Sequence, residues 1–228
     1  MKYANGLATQ KQIIEVCKRL FYEKGIEGTT YTDICAAADV HPGTLTHHFS
    51  EKANIASEIY LKASLALDME ITELFAEEDR AQQLLIAVYV HLLAMYQDAA
   101  YARFYIEYMA LDIHYGIYMK HLPDIMRDIS CKEGEEDSAS QERMTFRAVA
   151  YRGMQAALIY YINARHDTIP VELAFGYWGK FFLLIQEIQG DAAQERIDRV
   201  LKQSRGLEIK IDGLNVHIRF PNKGKKKS

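Results

Sequence analysis

The chain has 228 residues, 49% of them hydrophobic, and a net charge of -4. That is enough apolar material for a sizeable body carrying a small head. The acidic balance excludes a molecule that binds polyanions over its whole surface, so any nucleic-acid face is local. Three widely spaced cysteines, Cys17, Cys35 and Cys131, exclude a disulfide framework and a Cys-x-x-Cys zinc site. Four prolines, few glycines and long apolar runs predict an all-α chain. Met1 to Gly6 lacks the apolar core of a signal peptide. The longest apolar run, Leu84 to Tyr96, contains His91 and is too short to cross a bilayer. The expectation is a soluble, cytoplasmic protein without membrane contact.

Thr9 and Gln12 have capping-box form. Ile13, Val16, Cys17, Leu20 and Phe21 follow at helical spacing, and Gly25 stands where a C-terminal cap belongs. This predicts a first helix over 10–24. Thr30 and Asp33 signal a second helix over 31–38, with Ile34 and Ala38 inward. Asp39, Val40 and His41 form a turn. Pro42 opens a third helix, because its missing amide has no partner to lose there. Leu45 and Phe49 share the inner face. Ser50 is read as the cap of a long helix over 51–75.

The body divides into helices over 84–97, 103–112, 115–121 and 123–130, a small, acidic loop over 131–140, then helices over 141–165, 171–189 and 191–204. The segment 84–97 is apolar nearly all round and therefore central. Leu207, Ile209 and Ile211 alternate with polar residues, as do Leu214, Val216, Ile218 and Phe220 across a turn at Asp212-Gly213. This is a β-hairpin pattern, followed by Lys223, Lys225, Lys226 and Lys227. The divisions are 1–50, a three-helix head; 51–204, a helical body; and 205–228, the hairpin and basic tail.

Two short helices joined by a tight turn, the second with a small, polar outer face, form a helix-turn-helix. The second helix of such a pair enters the major groove of double-stranded DNA. The residues placed to meet DNA are Thr30, Thr32, His41, Pro42, Gly43, Thr44, Thr46, His47, His48 and Lys52. Gly43 permits close backbone approach, and Lys52 stands at a helix start facing a phosphate. Residues 1–52 hold six basic and six acidic side chains, so binding should be modest and salt-sensitive. His41, His47 and His48 lack the cysteines or carboxylates of a metal site.

Residues Ile13 to Tyr60 resemble the head of the TetR-type transcriptional regulators. The resemblance is carried by Phe21, Gly25, Thr29-Thr30, Asp33-Ile34, Val40, Gly43-Thr44-Leu45, His48-Phe49 and Lys52. It implies an all-helical homodimer, a repressor released from a near-palindromic operator by a small molecule. The chain departs from the family at Asp39, where a turn glycine is usual. His41 stands in place of a Ser or Thr cap, and Thr46 in place of an aromatic that reaches a phosphate.

Tyrosines crowd the body. They are open to two readings, ordinary core packing or the lining of a ligand pocket. Tyr89, His91, Met95, Tyr108, Tyr151 and Gln155 are the candidates for an unidentified small-molecule ligand. Arg147 and Arg152 are read as salt-bridge partners at helix seams. Gly153, Ala156, Ala157, Ala174, Gly176 and Gly179 permit close helix approach. Phe175, Trp178, Phe181, Phe182 and Ile185 add apolar area beyond what one copy hides. With the resemblance, this gives a homodimer through the helices 141–165 and 171–189. No nucleophile triad, phosphate loop or metal motif is present, so no enzyme activity, cofactor or metal is expected. The alternative is a helical-body enzyme, or a protein-binding dimer that has lost DNA binding.

Overall fold

Capping sets the head's geometry. In the computed structural model, which describes residues 2–111, 138–165 and 167–221, α1 (Lys2–Lys24) is followed by α2 (Tyr31–Ala38) and α3 (Pro42–His48). Thr30 accepts from the Asp33 amide while the Asp33 carboxylate accepts from the Thr30 amide, a complete capping box. Asp39 ends α2 in the left-handed region at φ 48° and donates its amide to the Cys35 carbonyl. Gly25 turns the chain after α1 at φ 81°. α1 begins well before the expected start, because Thr9 continues a helix already under way rather than opening one.

α4 (Lys52–Leu74) joins head to body. Its N-cap is Glu51, without a side-chain cap bond. Ser50, expected there, instead bonds the Asn54 side chain at 3.0 Å. α5 (Arg80–Gln97), α6 (Ala99–Met109), α7 (Ser138–Asn163), α8 (Val171–Ile185) and α9 (Gly190–Gln203) complete the described helices. α5 starts four residues earlier than the apolar pattern suggests, since Asp79 accepts from the Gln82 amide. Asp98 caps α6 in the same way through the Tyr101 amide. α7 takes in 138–140, which the sequence places in a loop. α8 stops at Ile185, short of the expected 189, where the chain reverses through Glu187 at φ 62°. The elements expected over 115–121 and 123–130, and most of the 131–140 loop, lie outside the described residues.

Two apolar cores result. One holds the head, with Phe21, Ile34, Leu45 and Ile59, and reaches into α6 through Phe104 and Tyr108. The other fills the body around α5, α7 and α8. Phe175, Trp178 and Phe182, expected to need a second copy, are buried within the chain instead. Gly179 also acts inside the chain. A Cβ there would stand 3.2 Å from Leu85 and 3.3 Å from Ile197, so glycine lets α8 close on α5 and α9.

β1 (Glu208–Asp212) and β2 (Asn215–Arg219) form the expected antiparallel hairpin. Asp212 pairs with Asn215, so the turn residues are Gly213 and Leu214, one position later than Asp212-Gly213. Gly213 supplies the positive φ of 59° that a two-residue hairpin turn needs. The hairpin lies along α4.

Candidate nucleic-acid interface and ligand cavity

α3 is short because Pro42 fixes its start and Phe49 leaves the helix to enter the core. Leu45 is its inward anchor, 1% exposed. His41, Pro42, Gly43, Thr46 and His47 are exposed, and Thr44 and His48 are half-exposed. The result is an outward strip of small and imidazole side chains. No Cβ added at Gly43 would meet another atom within 4 Å. His41 provides no side-chain cap. The Thr46 hydroxyl donates within its own helix, with the Pro42 carbonyl at 3.1 Å. His47 and His48 pack ring edge to ring at 5.4 Å. Thr30 and Thr32 are exposed at the start of α2.

Lys52 differs from the expected phosphate ligand. Its ammonium donates to the Ile26 carbonyl at 2.8 Å and the Thr29 carbonyl at 2.6 Å. Both carbonyls belong to the α1–α2 connection, where they have no partner in a continuing helix. Lys52 therefore ties that connection to α4. Sequence reasoning gave it a phosphate because the start of a helix is where phosphates bind, and a long-range carbonyl leaves no sequence signal.

Sequence reading also missed how the head is fastened. Two α6 residues and the Asp98 cap hold it. Tyr22 donates its hydroxyl to Asp98 at 2.6 Å, and Arg103 donates to the Tyr22 carbonyl at 2.7 Å. Glu107 accepts the amides of Ile26 and Glu27. A Cβ at Gly25 would collide with the Glu107 carboxylate at 2.6 Å. The signal for Asp98, an Asp three residues before Tyr101 at a helix start, was present in the sequence. The other pairings join positions far apart in the chain.

In the body, His91 and Tyr101 share a hydrogen bond of 2.7 Å. Burial pushes the His91 imidazole down to about 4, so it is neutral at physiological pH. Burial also raises the Tyr101 and Tyr105 phenols, leaving them protonated. His91, Tyr101 and Tyr105 line a small cavity with Tyr60, Ser64 and Leu67 of α4 and with Leu214 and Val216 of the hairpin. Its free space is about 10 Å³, room for about one water. Tyr60 packs on Tyr105 and Tyr108 at 5.8 and 4.4 Å between ring centres.

The other ligand candidates are dispersed. Tyr108 and Tyr151 are buried in the two cores, and Gln155 donates weakly to the Tyr105 hydroxyl at 3.4 Å. Trp178 donates to the Tyr151 hydroxyl at 3.2 Å. Tyr89 packs on Phe175. Met95 lines a separate cleft of about 450 Å³ at the α5–α6 junction, with Arg103, Ile106, Glu107 and Asn163. Tyr101 and Tyr105, absent from the sequence-based set, sit one helical turn apart on the face that His91 meets. Arg147 pairs with Glu187 as expected. Arg152 donates instead to the Met109 carbonyl.

Among the described residues, no group of three His, Cys, Asp or Glu side chains is arranged to hold a metal. No described helix is long and apolar enough to cross a membrane. Cys17 is a buried thiol, pushed by burial up to about 12, and Cys35 is half-buried; both are free.

Residues 13–59 match the family described as bacterial regulatory proteins, tetR family. The chain is 39% identical over 51 residues to the HTH-type transcriptional regulator TtgR of Pseudomonas putida, covering 22% of this chain and 24% of TtgR. It is 32% identical over 83 residues to a probable acrEF/envCD operon repressor of Escherichia coli, covering 36% of this chain and 38% of the relative. The chain thus spans less than half the length of the curated relatives it matches. Over longer stretches the likeness is of fold. RolR, solved in complex with resorcinol, superposes with a TM-score of 0.61 at 14% identity, covering 87% of this chain and 95% of RolR. SmeT, the repressor of the Stenotrophomonas maltophilia multidrug efflux pump SmeDEF, superposes at 0.50 and 13% identity, covering 77% and 88%. The match to the tetR family of bacterial regulatory proteins is thus carried by residues 13–59, and over the longer stretch the likeness is one of fold.

Proposed function

We propose that this protein is a homodimeric, DNA-binding transcriptional repressor released from a near-palindromic operator by a small molecule. The observation that carries this reading is the strip on α3. A polar face with an open glycine projects from a head whose Phe21, Ile34, Leu45 and Phe49 are buried. Thr44, Thr46, His47 and His48 would meet base edges or phosphates. Thr30, Thr32, His41, Pro42 and Gly43 would flank the backbone, and Lys52 would hold the connection that positions them.

The dimer reading rests on α7 and α8. Phe146, Tyr160, Leu173, Tyr177, Phe181 and Leu184 are all more than two-fifths exposed. Gly153 and Gly176 face open space there. Large apolar side chains exposed in this number on two adjoining helices support an association surface. Two-fold symmetry would place the two α3 helices roughly 34–36 Å apart, one DNA turn.

The His91 cavity is the proposed effector site. Neutral imidazole, protonated phenols and apolar walls suit a small planar aromatic bearing a hydroxyl. RolR is bound to resorcinol in its crystal structure, which makes resorcinol the first compound to try. The test is selection of random duplex DNA by the purified protein at low salt, then gel shift with the enriched sequence. Two inverted half-sites, with a complex dissolved by a hydroxylated aromatic, support the reading. A folded dimer that enriches no motif refutes it.

A further inference from the structure

The C-terminal hairpin packs on α4, the helix that joins head to body, and on α5. Both oxygens of Glu70 on α4 are used by β2. The His217 imidazole lies at 2.6 Å and the Ile218 amide donates at 2.9 Å. Phe220 packs edge-on to Phe75 at the end of α4. Val216 and Ile218 enter the body core. Leu214, at the turn, enters the other core, with Ile55, Ile59, Phe104 and Tyr108 beneath the head. One two-stranded element thus spans α4 and joins both cores.

The same element walls the His91 cavity. Nothing larger than about one water fits while that wall stands. The remaining walls are α4, α5 and α6, helices that pack on one another. A lone hairpin has little stability of its own, and this one is held by the Glu70 carboxylate and by apolar side chains packed on α4 and α5. It is the wall with least to lose by moving.

We propose that the hairpin is a latch on α4. Closed, it seals the cavity and holds α4 in the arrangement that seats the head. A planar ligand entering between His91 and Tyr60 lifts Leu214 and Val216, releases Glu70 and lets α4 shift. The ligand favours the open state because only that state has room for it. This rests on the reading of the cavity as the effector site.

The test compares the full-length protein with E70A by hydrogen–deuterium exchange, resorcinol titration and binding to the selected duplex. Amides of 208–219 should exchange about tenfold faster in E70A, and those of 55–67 on α4 should follow while α9 is unchanged. Resorcinol should bind about fivefold tighter, because the latch no longer opposes it, and DNA should bind weaker by a similar factor. Faster exchange in the hairpin with α4 unchanged overturns the latch, as does unchanged exchange in both. Should E70A fail to fold cooperatively, H217A removes the imidazole while leaving the carboxylate. If the wild type binds neither DNA nor resorcinol, the functional reading falls, and exchange on α4 still decides the latch.

Discussion

The head and the body bury apolar surface by different means. In the head each boundary has a local cause: the Thr30–Asp33 box, the left-handed Asp39, and Pro42 at the first turn of α3. In the body the geometry comes from pairings across long stretches of chain. Tyr101 meets His91, Trp178 meets Tyr151, and Arg196 meets Asp79 at 2.7 Å. A head built from local rules can present different residues on α3 without refolding. A body built from mutual burial can change its cavity only by adjusting several helices together. The two are joined by α4 and by the fastenings of α6, so independence of sequence need not mean independence of folding.

Phe104→Ala tests that junction and carries the largest expected effect. Phe104 sits on α6 but is 3% exposed within the head's core, stacked 6.3 Å from Phe21. Its truncation should cost about 3–5 kcal/mol. Trp178, the single tryptophan, reports on the body by fluorescence, and far-ultraviolet circular dichroism reports on all helices. Both urea curves should move together to lower midpoints. A tryptophan curve left in place while the dichroism splits would show that head and body unfold separately.

His91 gives the next effect, confined to the body. Burial holds its folded-state value at about 4, against about 6.5 in an unfolded chain. Between those values the unfolded chain binds a proton that the folded chain does not. Stability therefore falls as pH drops from about 6.5 to about 4, by up to about 3 kcal/mol from this one group. His91→Leu should remove that part of the acid sensitivity. Urea midpoints for both proteins at pH 7, 6, 5 and 4 check it. Parallel loss in both would mean that His91 accepts its proton in the folded protein.

Much of the fold was legible because its punctuation is chemical. The capping box, Asp39, Pro42, Gly25 and the alternating hairpin each name their own structure. Asp79 and Asp98 carry the same kind of signal, but they precede the apolar periodicity, so the pattern alone starts α5 and α6 too late. The reversal at Glu187 has no glycine or proline to announce it. For the candidate site, the exposed strip of α3 followed from periodicity. The roles of Lys52 and Glu107 did not, since each is fixed by a backbone group distant in the chain. His91 was found as a polar residue in an apolar run. Leu214 and Val216, which line its cavity, were readable as hairpin residues but not as neighbours of α4.

Thr30→Ala sharpens the local side of the comparison. It removes one half of the capping box and leaves the Asp33 carboxylate, which its backbone bond to Thr30 and its ion pair with Lys24 hold well below the usual range. A cost of about 1 kcal/mol is expected, read from urea midpoints at neutral pH. A cost near that of Phe104→Ala would show that α2 depends on its cap as the body depends on its core.

Asp39→Gly has the smallest effect, and its sign is what matters. Asp39 holds φ at 48°, a region where a Cβ is disfavoured and Asp is among the better tolerated residues. Glycine relieves that strain but widens the unfolded ensemble, so the two contributions oppose. The side chain is exposed and only the amide is used, by the Cys35 carbonyl, a bond glycine keeps. Relief should prevail, raising stability by up to about 1 kcal/mol. The spacing of α2 and α3 is set by backbone, so affinity for the selected duplex should stay within about twofold. Lower stability would mean that the wider unfolded ensemble outweighs the relief, so that Asp39 carries little strain at the turn.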